Sequence, residues 1–219
     1  MDPHASTDPG QVVVRLLAAA DDFDIDACEC LLAGAIADLE PLVLVRDVVA
    51  PVLREAGSRW HRGEMSVVQE HMLSGVVRRQ MSYALDRYLA SADGPTILFT
   101  TLSGERHELG GLMGAVLAAS QGFRCIYLGP DLPPAEIGRF CARRRVDALA
   151  LSLVTQPHVI DVPAQLHELR NCVAPDIEIW VAGRAAAVLA REPLPAGVEM
   201  INDLAGFLES LARLRTRTE

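Results

Sequence analysis

Residues 104–111 read GERHELGG and follow an apolar, β-branched run, TILFTTL, at residues 96–102. This run predicts a buried strand, and the alanine-rich pattern at residues 112–120 predicts a helix behind the glycines. His107 is therefore expected on the loop that leaves a strand. In open α/β sheets, the carboxyl ends of the strands form the edge at which ligands bind.

Three neighbours of His107 in the same loop suit a bound ligand. Glu105 lies two positions earlier, where a carboxylate can accept a hydrogen bond from the imidazole and fix its tautomer. Gly110 and Gly111 have no side chains, so a ligand can come close to the backbone at these positions.

Two later segments carry small residues at the ends of predicted strands. In the sequence, 41 residues separate Gly110 from Ser152, and 27 residues separate Val154 from the pair Ala182 and Gly183. Because the carboxyl ends of parallel strands meet at one edge of a sheet, we expect all three segments to line the same edge.

The hydrophobic period changes near residue 91. Residues 1–10 are rich in Pro, Ser, Asp and Gly and are predicted to be disordered, residues 11–90 have helical periodicity, and residues 91–95 (SADGP) predict a linker. Residues 96–216 alternate strand-like and helical stretches. The sequence thus predicts an N-terminal four-helix bundle followed by an α/β domain, a Rossmann-like (flavodoxin-like) parallel sheet with helices on both faces.

The bundle is predicted to contain helices at residues 11–20, from Asp24 or Asp26 to Leu39, at residues 42–62 with a kink at Pro51, and from the capping box of Ser66 and Gln69 to residue 90. The predicted core stripes of the last two helices comprise Leu42, Val45, Val49, Leu53, Ala56 and Trp60, and then Val68, Met72, Val76 and Leu85. The predicted strands lie at residues 96–102, 124–128, 148–154, 177–181 and 198–201.

Composition excludes several classes of protein. The chain has 219 residues, of which 50% are hydrophobic and 22% charged, as expected of a globular protein. Its net charge of −9 has the wrong sign for direct binding to nucleic acid. No apolar run is long enough to span a membrane, and the N-terminus resembles no signal peptide, so a cytoplasmic protein with reduced cysteines is expected.

A second group of residues flanks the predicted turn between the third and fourth helices. It consists of Trp60 and His61 and, after eight intervening residues, Glu70 and His71. Because consecutive helices of a bundle are antiparallel, we expect these side chains to converge at one end of it. The structural alternative is a core aromatic residue at Trp60 and a solvated pair at Glu70 and His71.

The spacing of the sheet-edge residues resembles the signature of the cobalamin-binding domain family. That signature reads Asp-x-His-x-x-Gly, then about 41 residues, Ser-x-Leu/Val/Thr, then about 27 residues and Gly-Gly. The resemblance implies that His107 is the lower axial ligand of cobalt. It also implies that the displaced dimethylbenzimidazole tail passes beside Gly110, Ser152 and Gly183, with Gly111 and Val154 in the same cofactor-binding set.

This chain departs from the family signature at two positions. Glu105 replaces the aspartate, which lengthens the arm that reaches His107, and Ala182 replaces the first glycine, which adds one methyl group beside the tail. Both changes keep the chemistry that the signature requires, because the carboxylate is retained and the methyl group is small.

The second group resembles more narrowly the adenosylcobalamin photoreceptors of the CarH type. The resemblance implies that Trp60 packs over the adenosyl group and that Glu70 hydrogen-bonds its ribose. It also implies that His61 binds cobalt from above after light cleaves the cobalt–carbon bond, and it places His71 at the same edge.

The leading hypothesis is a cobalamin-dependent light sensor, not an enzyme, that signals through movement of the bundle or a change of oligomer. The alternatives are a corrinoid methyl-carrier subunit of a methyltransferase, a photoreceptor that also binds a bilin such as biliverdin, as the photocobilin relatives do, and a cobalamin storage or chaperone protein. A homo-oligomer (a dimer or larger) and a protein partner or downstream effector domain are expected, whereas direct contact with nucleic acid or membrane is not.

Overall fold

The computed structural model describes residues 7–155, 160–185, 189 and 194–218. The chain divides between Arg87 and Tyr88 into two compact units, which we call the helical unit and the sheet unit. No helix within the described ranges is long and apolar enough to cross a bilayer.

The described part of the helical unit contains four helical runs. They are α1 (Pro9–Asp21), α2 (Ile25–Asp38), a composite run of α3 (Pro41–Val43), a π-helical segment (Leu44–Val49) and α4 (Ala50–His61), and α5 (Val67–Leu89), which continues two residues past the division. Asp8 caps α1 by accepting a hydrogen bond from the Gly10 N–H at 2.9 Å. The predicted disorder therefore does not extend to Gly10, and residues 1–6 lie outside the described range.

A π-helical segment directly precedes the region of Pro51, where the sequence predicts a kink. The Ala50 N–H bonds to the carbonyl of Val45, five residues back. In a regular α-helix, a proline ring collides with the carbonyl four residues before it, and a wider turn relieves that collision.

The buried faces of the last two runs differ from the predicted stripes. The composite run buries Leu44, Val45, Val48, Val49, Val52 and Ala56, and α5 buries Leu73, Val76, Val77, Met81, Ala84 and Leu85. The prediction was wrong for Trp60 and Val68, which are 46% and 62% exposed, and Leu42, Leu53 and Met72 are only partly buried. Trp60 is the second-last residue of α4 and Val68 is the second residue of α5, so both lie at helix ends beside the turn between them.

The start of α5 follows the predicted capping box. The Ser66 N–H donates to Gln69 Oε1 at 2.8 Å, and the Gln69 N–H donates to Ser66 Oγ at 3.3 Å. The Gln69 side chain also donates to the carbonyl of Asp21 at 2.9 Å, which joins this turn to the end of α1.

The sheet unit contains a five-stranded parallel sheet in the order β2-β1-β3-β4-β5. Its elements are β1 (Thr96–Thr100), α6 (Leu109–Ser120), β2 (Arg124–Tyr127), α7 (Pro134–Cys141), β3 (Ala148–Ser152), α8 (Val162–Cys172), β4 (Glu178–Ala182), β5 (Val198–Ile201) and α9 (Leu204–Thr218). The strand order reverses between β1 and β3, and this switch point is where doubly wound sheets bind ligands.

Helices cover both faces of the sheet, as predicted. Successive side chains of a strand point to opposite faces. Phe99 of β1 packs against Phe207 of α9 and lies 3.2 Å from a Cβ built on Gly114 of α6. Its neighbour Leu98 belongs to the core cluster that contains Ile137 of α7 and residues of α8. One face is therefore covered by α6 and α9, and the other by α7 and α8.

Four strands end at positions other than those predicted. β1 and β3 each end two residues early, β2 ends one residue early, and β4 extends to Ala182. The chain leaves β3 early because the Val154 N–H donates to the Glu105 carboxylate rather than to a neighbouring strand. The predicted linker lies after the division between the units, and its Gly94 N–H donates to the Gly122 carbonyl at 3.0 Å.

The contact between α7 and α8 gives the first prediction. A Cβ on Gly138 would lie 2.5 Å from Cys172 Cβ and 2.8 Å from its carbonyl oxygen, so Gly138→Ala should destabilise the protein by about 1–3 kcal/mol through overpacking. Gly34→Ala in α2, where nothing lies within 4 Å, should instead stabilise it by about 1 kcal/mol. Urea unfolding monitored by far-UV circular dichroism measures both changes. Equal midpoints for Gly138→Ala and wild type would contradict the helix contact.

Candidate functional site

The loop after β1 is held by the segment that follows β2. Thr101 Oγ1 donates to the carbonyl of Glu105 and accepts the Asp131 N–H at 2.8 Å. The Asp131 backbone has a φ of +66°, and the Asp131 side chain accepts the Gly104 N–H at 2.7 Å. Hydrogen bonds within the protein thus fix these two loops to each other at the carboxyl edge of the sheet.

The Glu105 side chain is completely buried and accepts hydrogen bonds from two loops. One carboxylate oxygen accepts the His107 N–H at 2.9 Å and His107 Nδ1 at 2.5 Å. The other accepts the N–H groups of Val154 and Thr155 at 2.7 and 2.6 Å. The single carboxylate therefore ties the loop after β1 to the loop after β3.

These hydrogen bonds keep Glu105 ionised in spite of its burial. Burial by itself raises the pKa of a carboxyl group, because the charged form loses its hydration. The His107 side chain and the backbone N–H groups of Thr155, His107 and Val154 outweigh that effect and lower the pKa of Glu105 to about 2. The site thus presents a permanent negative charge to the His107 ring.

The His107 ring is oriented for ligation. Its side chain is 61% exposed, and its Nδ1 faces the buried carboxylate. When a neutral imidazole donates from Nδ1, the lone pair is on Nε2, which is the atom that can bind a metal. Thr155 Oγ1 lies 3.2 Å from the same carboxylate oxygen and 3.5 Å from Nδ1, so it supports the pair from the side.

The small residues predicted at the sheet edge come together around Ser152. Its hydroxyl donates to the His107 carbonyl at 3.3 Å, and a Cβ on Gly110 would lie 2.9 Å from that hydroxyl. A Cβ on Gly111 would lie 3.7 Å from Ser152 Cβ, an ordinary contact. Gly110 therefore lets α6 approach β3 closely beneath the histidine loop.

Gly183 adds the third segment of the predicted set. Ser152 pairs in register with Ala182, the residue before it. Gly183 has a φ of +115°, and a Cβ there would lie 2.4 Å from the carbonyl oxygen of Leu153. Only glycine fits this position, so the second glycine of the predicted pair has a backbone role whatever binds beside it.

Sequence reasoning missed three residues of this edge. Thr155 is one residue beyond the recognised Ser152–Val154 segment, and only the tertiary structure brings it to Glu105. Glu108 precedes α6, and Tyr127 ends β2; the Tyr127 hydroxyl donates to Glu108 Oε2 at 2.6 Å. The position of Glu108 directly after His107 was the only available signal for this pair.

In the helical unit, the second group forms two pairs of neighbours. The Trp60 and His61 rings meet edge to face, with centroids 4.8 Å apart, and His61 Nδ1 lies 3.0 Å from the Gly57 carbonyl. Glu70 accepts hydrogen bonds from the Ser74 hydroxyl and from His71, each at 2.7 Å. The pairs lie on either side of the turn between α4 and α5, and Trp60, His61 and His71 are exposed.

The residues at the sheet edge fit a cobalamin. The donor set is one imidazole with a buried carboxylate behind it, which suits a metal whose other ligands come from a macrocycle. His107 would bind the cobalt, and Ser152 with the neighbouring glycines would adjoin the nucleotide tail. The cofactor itself supplies an axial coordination position and, in its alkyl forms, a light-sensitive cobalt–carbon bond.

Comparison with known proteins supports cobalamin binding. The model of the B12 binding domain family matches residues 12–85, which belong to the helical unit. The HTH-type transcriptional repressor CarH of Myxococcus xanthus is 31% identical over 184 residues, covering 84% of this chain and 60% of the repressor. The HTH-type transcriptional repressor CarA of the same organism is 30% identical over 125 residues, covering 57% of this chain and 42% of the repressor. The chain thus spans less than two thirds of the length of each of these relatives.

A solved structure shares the architecture. The monomethylamine corrinoid protein of Methanosarcina barkeri matches with a TM-score of 0.73 over 93% of this chain and 98% of that protein, at 14% sequence identity. At this identity, the likeness shows the fold alone. The fold is thus that of a corrinoid protein with a Rossmann-like sheet, and the family match with the two repressors supports a CarH-like cobalamin-binding domain.

Proposed function

We propose that this chain is the sensory part of a light-responsive protein that uses adenosylcobalamin and signals by a change of shape or oligomer. The observation that carries the cofactor assignment is the buried, ionised Glu105 that holds the His107 ring. Adenosylcobalamin, when bound, supplies a cobalt–carbon bond that light cleaves. Residues of this chain bind and orient the cofactor.

His107 is the lower ligand of cobalt in this proposal. Glu105 accepts the Nδ1 proton and orients the ring, which directs the Nε2 lone pair toward the metal. Because the carboxylate is fixed by backbone N–H groups of the loop after β3, the ring has little freedom to turn away. Gly110, Gly111, Ser152, Val154 and Gly183 form the surroundings of the nucleotide tail.

Trp60 and Glu70 recognise the upper ligand in this proposal. An exposed indole offers a flat apolar surface for an adenine ring, and a carboxylate oriented by Ser74 suits ribose hydroxyls. His61 would supply a nitrogen ligand to the cobalt in place of a lost adenosyl group. Its Nδ1 bonds to the Gly57 carbonyl in the neutral ring, which again leaves the lone pair on Nε2. His71 orients Glu70 through their hydrogen bond.

A corrinoid methyl carrier is the second candidate, favoured by the fold shared with the monomethylamine corrinoid protein. The two functions place opposite demands on the helical unit. A carrier must admit a large partner to the upper face of the corrin, whereas a sensor must retain an adenosyl group there. The exposed Trp60 beside His61 is better suited to retaining an adenosyl group.

The output of the sensor passes through other protein surfaces in this proposal. The net charge of −9 disfavours direct contact with nucleic acid, so we propose a homo-oligomer, a partner protein or a linked effector domain as the receiver. Use of a bilin such as biliverdin as a second chromophore is an alternative that rests on family resemblance. Red absorption bands in the purified holoprotein would establish it.

We predict that His107→Ala weakens cobalamin binding at least tenfold and removes the imidazole-ligated absorption spectrum, because the axial nitrogen is lost. Glu105→Gln should weaken binding about 10–100-fold, since an amide cannot accept from every donor that now surrounds the carboxylate. Titration with hydroxocobalamin followed by absorption measures both, with the exposed Glu168→Gln as the charge control. Unchanged affinity and spectrum in His107→Ala would remove this residue from the cobalt site.

Trp60→Ala and Glu70→Ala are each expected to weaken adenosylcobalamin about tenfold and hydroxocobalamin by less than threefold, because only the first cofactor has a group for them to contact. Tyr83→Ala removes another exposed aromatic side chain from α5 and serves as the control. Isothermal titration with both cofactors gives the comparison. Equal losses for the two cofactors would assign Trp60 and Glu70 a structural role.

We predict that illumination of the adenosylcobalamin-loaded protein changes its oligomeric mass, because loss of the adenosyl group removes the contact that holds Trp60 and Glu70. In His61→Ala the lit state should decay rapidly, since its upper ligand is missing. Size-exclusion chromatography with light scattering, in the dark and after green light, measures both effects. Identical masses in all samples, with photolysis confirmed by absorption, would favour the methyl carrier.

A further inference from the structure

A cavity at the amino edge of the sheet has no role in the proposed function. Its walls come from the predicted linker before β1, the turn between α6 and β2, the segment before β3 and the end of α9. Its volume of about 520 Å³ is typical of sites for small molecules. Because the strands are parallel, their amino ends meet at this edge, so the cavity lies across the sheet from His107 and its loop.

Three arginines line this cavity, and each belongs to a different part of the fold. Arg124 begins β2, Arg145 lies in the segment before β3, and Arg215 belongs to α9. All three are exposed. The chain as a whole has a net charge of −9, so its composition does not account for three guanidinium groups in one cavity. The cavity is therefore a local attractor of anions on an acidic protein.

Arg215 is held in place by the turn between α6 and β2. Its guanidinium group donates to the Gln121 carbonyl, and the guanidinium carbon lies 4.7 Å from the centre of the Phe123 ring. Gly122, between these two residues, has a φ of +87°, and a Cβ built there would lie 3.9 Å from a terminal nitrogen of Arg215. A side chain that is already fixed loses less conformational entropy when it binds a ligand.

The other two arginines keep N–H donors for a ligand. Asp147 Oδ2 accepts the Thr96 N–H at 2.8 Å, and its Oδ1 lies 3.4 Å from Arg145 Nε. The Asp147 side chain is only 12% exposed, whereas that of Arg145 is 81% exposed, so the terminal nitrogens of Arg145 stay accessible. Among the residues that the structure describes, none accepts a hydrogen bond from the Arg124 guanidinium. Asp93, the second carboxylate of the lining, is exposed.

A phosphate group fits these donors better than a carboxylate does. Arginine binds both groups through paired N–H···O hydrogen bonds. A phosphate monoester offers three free oxygens and about two negative charges at pH 7, so arginines from three elements can bind it together. A carboxylate has two oxygens and one charge. The cavity is also larger than a phosphate ion requires, which leaves room for an attached organic group.

We propose that this cavity binds the phosphate group of a small phosphorylated molecule through Arg124, Arg145 and Arg215. Inorganic phosphate has the same chemistry without the organic group, so a comparison of the two ligands distinguishes these sources. The Gly94 N–H of the predicted linker bonds to the Gly122 carbonyl at the cavity wall, so the ligand adjoins the linker as well. The proposal is independent of the cofactor assignment, because the two sites lie at opposite edges of the sheet.

Isothermal titration of the full chain in a phosphate-free buffer tests the proposal, with ribose 5-phosphate, inorganic phosphate and ribose as ligands. Ribose 5-phosphate should bind at least tenfold more tightly than ribose, because only the former has the charged group. Tighter binding of ribose 5-phosphate than of inorganic phosphate would identify an organic phosphate as the ligand, and equal binding would identify free phosphate. The proposal is wrong if neither phosphate compound binds at millimolar concentration, or if ribose binds as tightly as its phosphate.

Three variants locate the binding site. Arg124→Gln should weaken ribose 5-phosphate about tenfold, because a charged donor pair is lost. Arg215→Lys keeps the charge but loses the planar fork and should weaken binding about threefold. Arg143→Gln removes an equal charge from an exposed position that does not line the cavity, and the affinity should change less than twofold. Circular dichroism checks the fold of each variant. Unchanged affinity in Arg124→Gln, or an equal loss in Arg143→Gln, would overturn the proposal.

Discussion

The structure of this site depends on one buried charge. Glu105 has no exposed surface, and a carboxylate in such a place is stable only if its oxygens accept several hydrogen bonds. The donors come from His107 in the same loop and from Val154 and Thr155 after β3. Because these donors belong to two loops, the carboxylate fixes both the direction of the His107 ring and the distance between the strand ends.

The doubly wound topology makes this arrangement available. β1 and β3 are neighbours in the sheet although β2 lies between them in the sequence, so their following loops leave the same edge side by side. Gly110 allows α6 to approach Ser152, and Gly183 allows the chain after β4 to pass the Leu153 carbonyl. The small residues therefore have packing roles that are compatible with a cofactor tail beside them.

The fold class was predictable because it depends on the hydrophobic period and on the Gly and Pro residues that end helices and strands. Both are local properties of the chain. The alternation of strands and helices after residue 95, the capping box at Ser66 and the capacity of His107 to pair with Glu105 all follow from short segments. The predicted stripe holds at Val45, Val49 and Ala56 but fails at Trp60, because this residue lies at the exposed end of α4 and periodicity does not specify where a helix leaves the core.

The sequence by itself determined the parallel α/β class, the helical N-terminal unit and the three segments that line the sheet edge. Only the tertiary structure brought Thr155 to Glu105 and Tyr127 to Glu108, because each pair joins residues from different strand ends. It also showed that Glu105, with its longer arm, reaches the loop after β3. Contacts of this kind depend on strand order and on the exact ends of strands, which neither spacing nor residue type specifies.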